Sequence, residues 1–328
     1  MSSVCFIVQP IHPVAENLLR KAGLVPRLST SENMEIVANE IIDAIAVITR
    51  SAGLSSRAMD AAPSLRVIAS HGVGFNTINI DHATKLGIPV VNTPEANSVS
   101  VAEHTITLML AAAKKIILSH DAGCRGDFDF KYSNNFVELS GKTLGIVGFG
   151  VIGKKVAAMA NSAFAMNVLV SSKSVNPDEI KSFGYKAAPD LESLLREADF
   201  ISLHRPLMAN LKPLIGENEL SLMKKSSILI NTARGELLDE VALAKYLKSG
   251  MISGAALDVY TSEYMKIDHP ILNAPNVILT PHVAGSTEEA LKRTAEQAVE
   301  RIISVLMGKP LDVVNTEVWD RRRLNQIF

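Results

Sequence analysis

Short apolar runs alternate with amphipathic stretches through residues 1–97. Val4–Val8, Ala44–Thr49, Leu65–Ser70 and Pro89–Asn92 read as strands, and Val14–Ala22, Glu32–Ile41 and Ile80–Leu86 as helices between them. Alternation of this kind predicts parallel βα units. The segment NSVSVAEHTITLMLAAAKKIILSH breaks the rhythm. Ser100 followed by Glu103 has the form of a capping box. It predicts a helix in which Val101–Leu118 is apolar nearly all round, the mark of a helix buried between domains or between subunits. The polar, irregular AGCRGDFDFKYSNNF follows, and a second alternating series starts at Lys142. Its strands are predicted at Thr143–Gly148, Met166–Val170, Phe200–Leu203, Ser227–Asn231, Gly254–Leu257 and Val277–Leu279. Six strands with short helices between them fit a doubly wound sheet. A last long helix is expected over Thr287–Met307, opening with STEEA, and no short repeat or low-complexity segment is visible.

Composition narrows the picture only a little. The chain has 328 residues, 47% apolar and 20% charged, with a formal net charge of −1. That is a globular composition with enough length for two domains. The near-neutral balance gives no reason to expect nucleic acid or an anionic membrane surface as a partner. Two cysteines, Cys5 and Cys124, leave no disulfide framework or four-cysteine zinc site and fit a reducing compartment; no metal is called for. Val4–Val8 lacks a basic leader and is followed by Pro10, so it reads as a strand rather than a signal peptide. No run reaches the roughly 18 apolar residues of a membrane-spanning helix. The expected location is cytoplasmic.

TLGIVGFGVIGKKVAAMA carries the first chemistry. A strand leads into Gly148-x-Gly150-x-x-Gly153, and a helix follows. The first glycine allows the tight turn, the second lets backbone approach a pyrophosphate, and the third lets helix and strand pack closely. Backbone N–H groups at Val151 and Ile152 then face the phosphates at the helix N-terminus. The same pattern also fits a tight βα turn without a ligand. About 20 residues further on, NAD sites place an acidic residue on the ribose 2′-hydroxyl. Here no Asp or Glu occurs from Lys154 through Pro177, and the second strand ends in Ser171, Ser172 and Lys173. Two hydroxyls and an ammonium suit a 2′-phosphate. NADP is therefore the expected cofactor, with NAD as the alternative; a plain solvated Lys173 is the bland reading.

Three further residues stand just after strand-like runs: Arg234 after SILINTA, Glu263 after GAALDVYTS and His282 after NVILTP. In open α/β sheets the carboxyl ends of strands line the ligand crevice. The set suits reduction of a 2-keto acid. An arginine binds the carboxylate through its fork and polarises the keto oxygen. A protonated histidine supplies the proton that the developing alkoxide needs. A glutamate nearby favours the imidazolium and orients it. Taken singly, each has another reading: Arg234 paired with Asp239 or Glu240, His282 as a helix cap, Glu263 as a solvated carboxylate.

Together with these residues, SHGVGFNTINIDHATKLGIPVVNTPEANSVSVAEHT, GKTLGIVGFGVIGKKVA, ILINTARGELLDE, AALDVY and NVILTPHVAG make nearly the whole chain resemble the D-isomer-specific 2-hydroxyacid dehydrogenases. The resemblance implies an α/β fold of two doubly wound domains, a Rossmann dinucleotide-binding domain inserted into a flavodoxin-like substrate domain. The substrate domain would comprise residues 1–98 and 287–328, the nucleotide domain 99–286, with the apolar helix as hinge and dimer contact and with closure of the domains expelling water. The family's arginine, glutamate and histidine correspond to Arg234, Glu263 and His282. Asp258 corresponds to the aspartate on the nicotinamide carboxamide, His204 and Pro206 to the adenosine side, and Thr232 and Ala233 to the nicotinamide side. The loop His71–Phe75 would take the substrate carboxylate on N–H groups near Val73 and Gly74, and Arg50 stands where some members bring an arginine to the substrate.

Three departures accompany the match: the missing ribose acid, Met208 and Leu211 in place of threonines, and Tyr264 in place of a proline after Glu263. The leading expectation is an NAD(P)-dependent reductase of a small 2-keto acid of the hydroxypyruvate or glyoxylate type, acting as a homodimer. The alternatives are 3-phosphoglycerate dehydrogenase and, in another class, a nucleotide-sensing corepressor-like interaction module. The ending RRRLNQIF is a basic tail without an assigned role.

Overall fold

A computed structural model of the chain describes residues 3–207, 212–262 and 265–323. Two compact units are present, one made of the chain before Ser98 and after Gly285, the other of Ser98–Gly285.

In the first unit β1 (Val4–Ile7), β2 (Val25–Leu28), β3 (Ala44–Thr49), β4 (Val67–Ser70) and β5 (Val90–Val91) form a wholly parallel sheet in the order β2-β1-β3-β4-β5. This is the flavodoxin-like order. Side chains alternate between faces along a strand, so each apolar strand feeds two cores. Phe6, Val47 and Ile68 pack with Val37 and Met59 on one face. Cys5, Ile48 and Val67 pack with Leu19, Val299 and Ile302 on the other, the last two from the helix Glu288–Leu306. Burial pushes the Cys5 thiol up to about 12. β2 escaped the pattern because it carries Pro26, and Val25 and Leu28 are half exposed; an edge strand tolerates both features. The tail arginines also find a place. Arg323 donates to the carbonyls of Leu86, Ala62 and Pro63, and Arg322 lies over the Trp319 ring. The described part of the basic tail is thus a clamp on the first unit.

The second unit holds β6 (Thr143–Val147), β7 (Asn167–Ser171), β8 (Lys186–Ala187), β9 (Phe200–Leu203), β10 (Ile228–Asn231), β11 (Gly254–Leu257) and β12 (Val277–Leu279). The sheet has seven strands rather than the six expected, since β8, two residues long, leaves no periodic trace. All pairs are parallel, in the order β8-β7-β6-β9-β10-β11-β12. The chain winds outward from β6 to β8 and then returns to lay β9 against the other side of β6. The crevice of such sheets opens at the carboxyl ends of the two strands flanking that reversal.

The apolar segment is two helices, not one. The first spans Ser98–Ala113 and the second Ile116–Cys124, with Lys115 left-handed at φ 46° between them. The first begins two residues before Ser100, so Ser100 is no cap; its hydroxyl donates to the Ala284 carbonyl at 2.6 Å. Ile116, Ile117 and Leu118 are exposed, so the apolar surround of the second helix is not buried within this chain. Among the described residues no helix is long and apolar enough to cross a membrane.

Candidate functional site

The glycine turn follows β6 directly. Gly148 has φ 99°, and a Cβ there would stand 2.6 Å from the His204 carbonyl oxygen, where β9 ends. A Cβ on Gly153 would stand 2.3 Å from the Gly148 carbonyl oxygen. Both positions therefore demand glycine for steric reasons inside the protein. Gly150 differs. A Cβ there would meet nothing within 4 Å, yet Gly150 is the residue before the 14-residue helix Val151–Phe164. First-turn N–H groups of a helix, here including those of Val151 and Ile152, have no helical acceptor. The open space thus lies where a phosphate would approach them, and the residues fit a dinucleotide.

β7 ends at Ser171, whose carbonyl accepts from the Gly148 N–H at 2.9 Å. Ser171 and Ser172 are half-buried and Lys173 is exposed. None of the three side chains has a polar partner among the described residues. The nearest acids in sequence are engaged: Asp178 with Lys181 at 3.1 Å and Glu179 with Lys154 at 2.8 Å. At the end of β9, burial pushes the His204 imidazole down to about 3, so it is neutral, and its Nε2 lies 2.8 Å from Ser202 Oγ. Pro206, two residues on, is exposed; Met208 and Leu211 lie outside the described residues.

Arg234 lies just beyond β10 in a turn closed by one side chain. Asn231, fully buried, accepts from the Ala233 N–H at 3.0 Å and donates through Nδ2 to the Arg234 carbonyl at 2.8 Å. Thr232 is buried with its hydroxyl 2.9 Å from Thr105 Oγ1. The guanidinium is half-buried, and its Nη1 donates to the Ala233 carbonyl at 2.6 Å. Burial lowers its pKa, opposed by Glu236. Neither acid proposed as its partner serves it. Asp239 caps the next helix by accepting from the N–H groups of Val241 and Ala242. Glu240, buried, accepts from the Thr261 N–H at 2.7 Å. Behind Arg234, a Cβ on Gly235 would stand 1.8 Å from the Tyr260 carbonyl carbon. The arginine turn therefore lies backbone to backbone against Tyr260–Thr261, on the loop that runs on to Glu263. Glu263 itself, with Tyr264, lies outside the described residues.

His282 stands three residues past β12 on the same carboxyl edge of the sheet, exposed and left-handed at φ 52°. Asp258, next after β11 and fully buried, grips that turn at three successive amides. Its carbonyl accepts from the His282 N–H at 2.9 Å, and its carboxylate accepts from Val283 and Ala284 N–H, both at 2.9 Å. Thr280 Oγ1 donates to the same carboxylate at 2.6 Å. Burial pushes the Asp258 carboxyl up, but the hydrogen bonds from His104, Thr280, Ala284 and Val283 outweigh it and leave the pKa below the usual carboxylate value. Tyr260 Oη donates to the Thr280 carbonyl at 2.8 Å, with its pKa pushed up to about 12 by burial and by Asp258. Asp258 is thus a brace for the His282 turn. Asn231, Thr280 and Tyr260 went unnoticed in the sequence; only Asn231, an amide at a strand end before a turn, carried a signal.

In the first unit the segment His71–Phe75 is irregular, with its carbonyls held from within. Thr93 N–H donates to Gly72 O at 3.0 Å, Asn92 Nδ2 to Val73 O at 2.8 Å and Ser70 Oγ to Gly74 O at 2.6 Å. The N–H groups of Val73 and Gly74 have no acceptor among the described residues. Arg50 donates from Nη1 to the Pro10 carbonyl at 3.0 Å, which ties it to the scaffold. Burial and the neighbouring Arg50 push the His71 imidazole down to about 4.

Comparison with known proteins places this edge in a family. Residues 106–284 match the NAD-binding domain of the D-isomer-specific 2-hydroxyacid dehydrogenases. A glyoxylate reductase from Aeropyrum pernix is 40-odd per cent identical, at 42% over 78% of each chain. A D-3-phosphoglycerate dehydrogenase from Methanocaldococcus jannaschii is 40% identical over 98% of this chain, which spans only 61% of that protein's length. Among solved structures, an NADPH-dependent glyoxylate/hydroxypyruvate reductase from Sinorhizobium meliloti, in complex with citrate, superposes with a TM-score of 0.84 at 25% identity, covering 95% of this chain and 97% of that one. The chain belongs to the D-isomer-specific 2-hydroxyacid dehydrogenases.

Proposed function

We propose that this chain reduces a small 2-keto acid of the hydroxypyruvate or glyoxylate type to its D-2-hydroxy acid, with NADPH preferred over NADH. The observation that carries the reading is the shared edge: Arg234 follows β10 and His282 follows β12, with β11 between them, at the carboxyl edge of the sheet whose β6 turn fits a dinucleotide. The cofactor, when bound, supplies the hydride. Arg234 binds the substrate carboxylate and the keto oxygen; its guanidinium has no carboxylate partner among the described residues, so a ligand's carboxylate completes its coordination. His282 gives its proton to the keto oxygen as negative charge develops there and, neutral, takes it back in the reverse direction. Glu263 favours the charged imidazole. In the first unit, the Val73 and Gly74 N–H groups and Arg50 remain proposed contributors to substrate binding, by the family resemblance. Thr232, Ala233, His204 and Pro206 line the cofactor's path along the strand ends. Arg234→Lys keeps the charge and loses the fork; kcat/KM is expected to fall about a hundredfold, and an unchanged value removes the bidentate role.

The cofactor preference rests on Ser171, Ser172 and Lys173, which stand without an acid where a ribose carboxylate would exclude a 2′-phosphate. A homodimer in the cytoplasm completes the proposal. Its support is the apolar exposure of Ile116, Ile117, Leu118, Phe128 and Tyr132 in one stretch of chain, and two cysteines that are both free. A panel of 2-keto acids and 3-phosphoglycerate, run with both cofactors, tests it. Fast hydroxypyruvate or glyoxylate reduction with NADPH is the expected result. Phosphoglycerate oxidation at equal rate favours the phosphoglycerate dehydrogenase reading, and no turnover with any member favours the nucleotide-sensing module.

A further inference from the structure

The helix Ser98–Ala113 is apolar except for a few positions, and two of these reach the His282 turn from one face. Ser100 and His104 are four residues apart and therefore lie one above the other. Ser100 holds the Ala284 carbonyl. His104 Nε2 lies 3.2 Å from Thr280 Oγ1 and 3.5 Å from Asp258 Oδ1. The direction of the bonds follows from proton counting. Thr280 Oγ1 has one proton and gives it to Asp258 at 2.6 Å, so it can only accept from His104. His104 therefore carries its proton on Nε2, and the chain runs His104 Nε2–H to Thr280 Oγ1–H to the Asp258 carboxylate. That carboxylate then receives the amides of Val283 and Ala284. Each bond in such a chain polarises the next.

We propose that His104 is a positioning residue for the proton-donating turn: its Nε2–H orients the Thr280 hydroxyl onto Asp258, and Asp258 in turn holds Val283 and Ala284 so that His282 keeps its left-handed backbone. A left-handed, non-glycine residue persists only where its surroundings over-determine it, and at His282 the surroundings include this chain of bonds together with Ser100 and Tyr260. The inference deepens the catalytic role given to His282 and rests on it for its kinetic consequence; the structural consequence stands alone.

The test compares the full chain with His104→Leu, which removes the donor at similar size, and His104→Gln, whose amide can still donate. Amide hydrogen exchange is followed at Leu279–Gly285 and, as a reference, at Thr143–Val147, with and without NADPH. In parallel, kcat and the KM for NADPH are measured with hydroxypyruvate. In the Leu variant, exchange at Leu279–Gly285 is expected to quicken about tenfold while the reference strand is unchanged. Its kcat is expected to fall about tenfold with the KM for NADPH held within about twofold. The Gln variant is expected to recover both. Wild-type protection in the Leu variant overturns the proposal. So does equal loss of protection in both segments, an unchanged kcat despite lost protection, or a Gln variant as impaired as the Leu one. If the wild type turns over no keto acid, the proposed function fails while the exchange comparison still decides this inference.

Discussion

Two stretches of one sheet edge solve the same problem, holding a ligand beyond strand ends, by different means. At β6 the work is done by main chain. Gly148 and Gly153 are glycines because the protein's own carbonyls crowd them, whereas Gly150 faces open space, into which the proposed cofactor's phosphate would come. The three glycines lie within six residues of sequence, although the carbonyl that crowds Gly148 comes from His204. At β10 to β12 the work is done by buried side chains. Asn231 closes the Arg234 turn, Asp258 grips the His282 turn, and Thr280, His104, Tyr260 and Ser100 hold Asp258 and its surroundings. One partner of the His104–Thr280 bond is 176 residues from the other. Binding by backbone tolerates many side chains but no added bulk at a few glycines. Catalysis through fixed side chains requires a built support.

The largest effect should come from the side-chain end. His282→Ala is expected to lower kcat by about a thousandfold with cofactor affinity intact, checked by single-turnover kinetics beside a binding titration; near-normal turnover would remove His282 as the acid. At the backbone end, Gly153→Ala forces a Cβ against the Gly148 carbonyl and should cost about 1–3 kcal/mol in cofactor binding, whereas Val151→Ala should change the dissociation constant less than about twofold. Equal losses in the two variants would erase the distinction between the two stretches. Lys173→Glu places a carboxylate beside the 2′-position and should shift the ratio of kcat/KM for NADPH over NADH about tenfold towards NADH; an unmoved ratio makes Lys173 an ordinary surface lysine. The smallest effect concerns acid. The Asp258 carboxyl is depressed in the folded chain, so its contribution is full above its unfolded value near 3.9 and is lost as pH falls through the folded value. Wild type should therefore exceed Asp258→Asn by on the order of 1 kcal/mol at neutral pH, and the gap should narrow below about pH 4 in denaturant titrations. A gap that holds constant into acid would show that the brace does not depend on charge.

The same contrast explains what could be read in the sequence. The glycine turn and the apolar runs of most strands are local patterns, and parallel βα alternation in both units follows from them; the flavodoxin-like character of the first sheet was implied only by the family resemblance. β2 was hidden by Pro26 and by its exposed edge, and β8 by its length. The helix break at Lys115 has no glycine or proline to announce it; a lysine takes the left-handed turn. Ser100 and Glu103 mimic a capping box because a helix that starts earlier spends the serine on a distant carbonyl. Arg234 and His282 were legible as charges past strand ends. Their support was not, because a histidine inside an apolar helix and a threonine at the end of β12 acquire meaning only when the fold brings them together.

The contact at Gly235 has a further consequence for anyone redesigning this protein. Because the arginine turn and the Tyr260–Thr261 segment meet main chain to main chain, no side chain lies between them to be enlarged or trimmed. Any substitution at Gly235 places a Cβ into the Tyr260–Thr261 backbone and must force the two segments apart, so this one glycine sets how closely they approach beside Arg234.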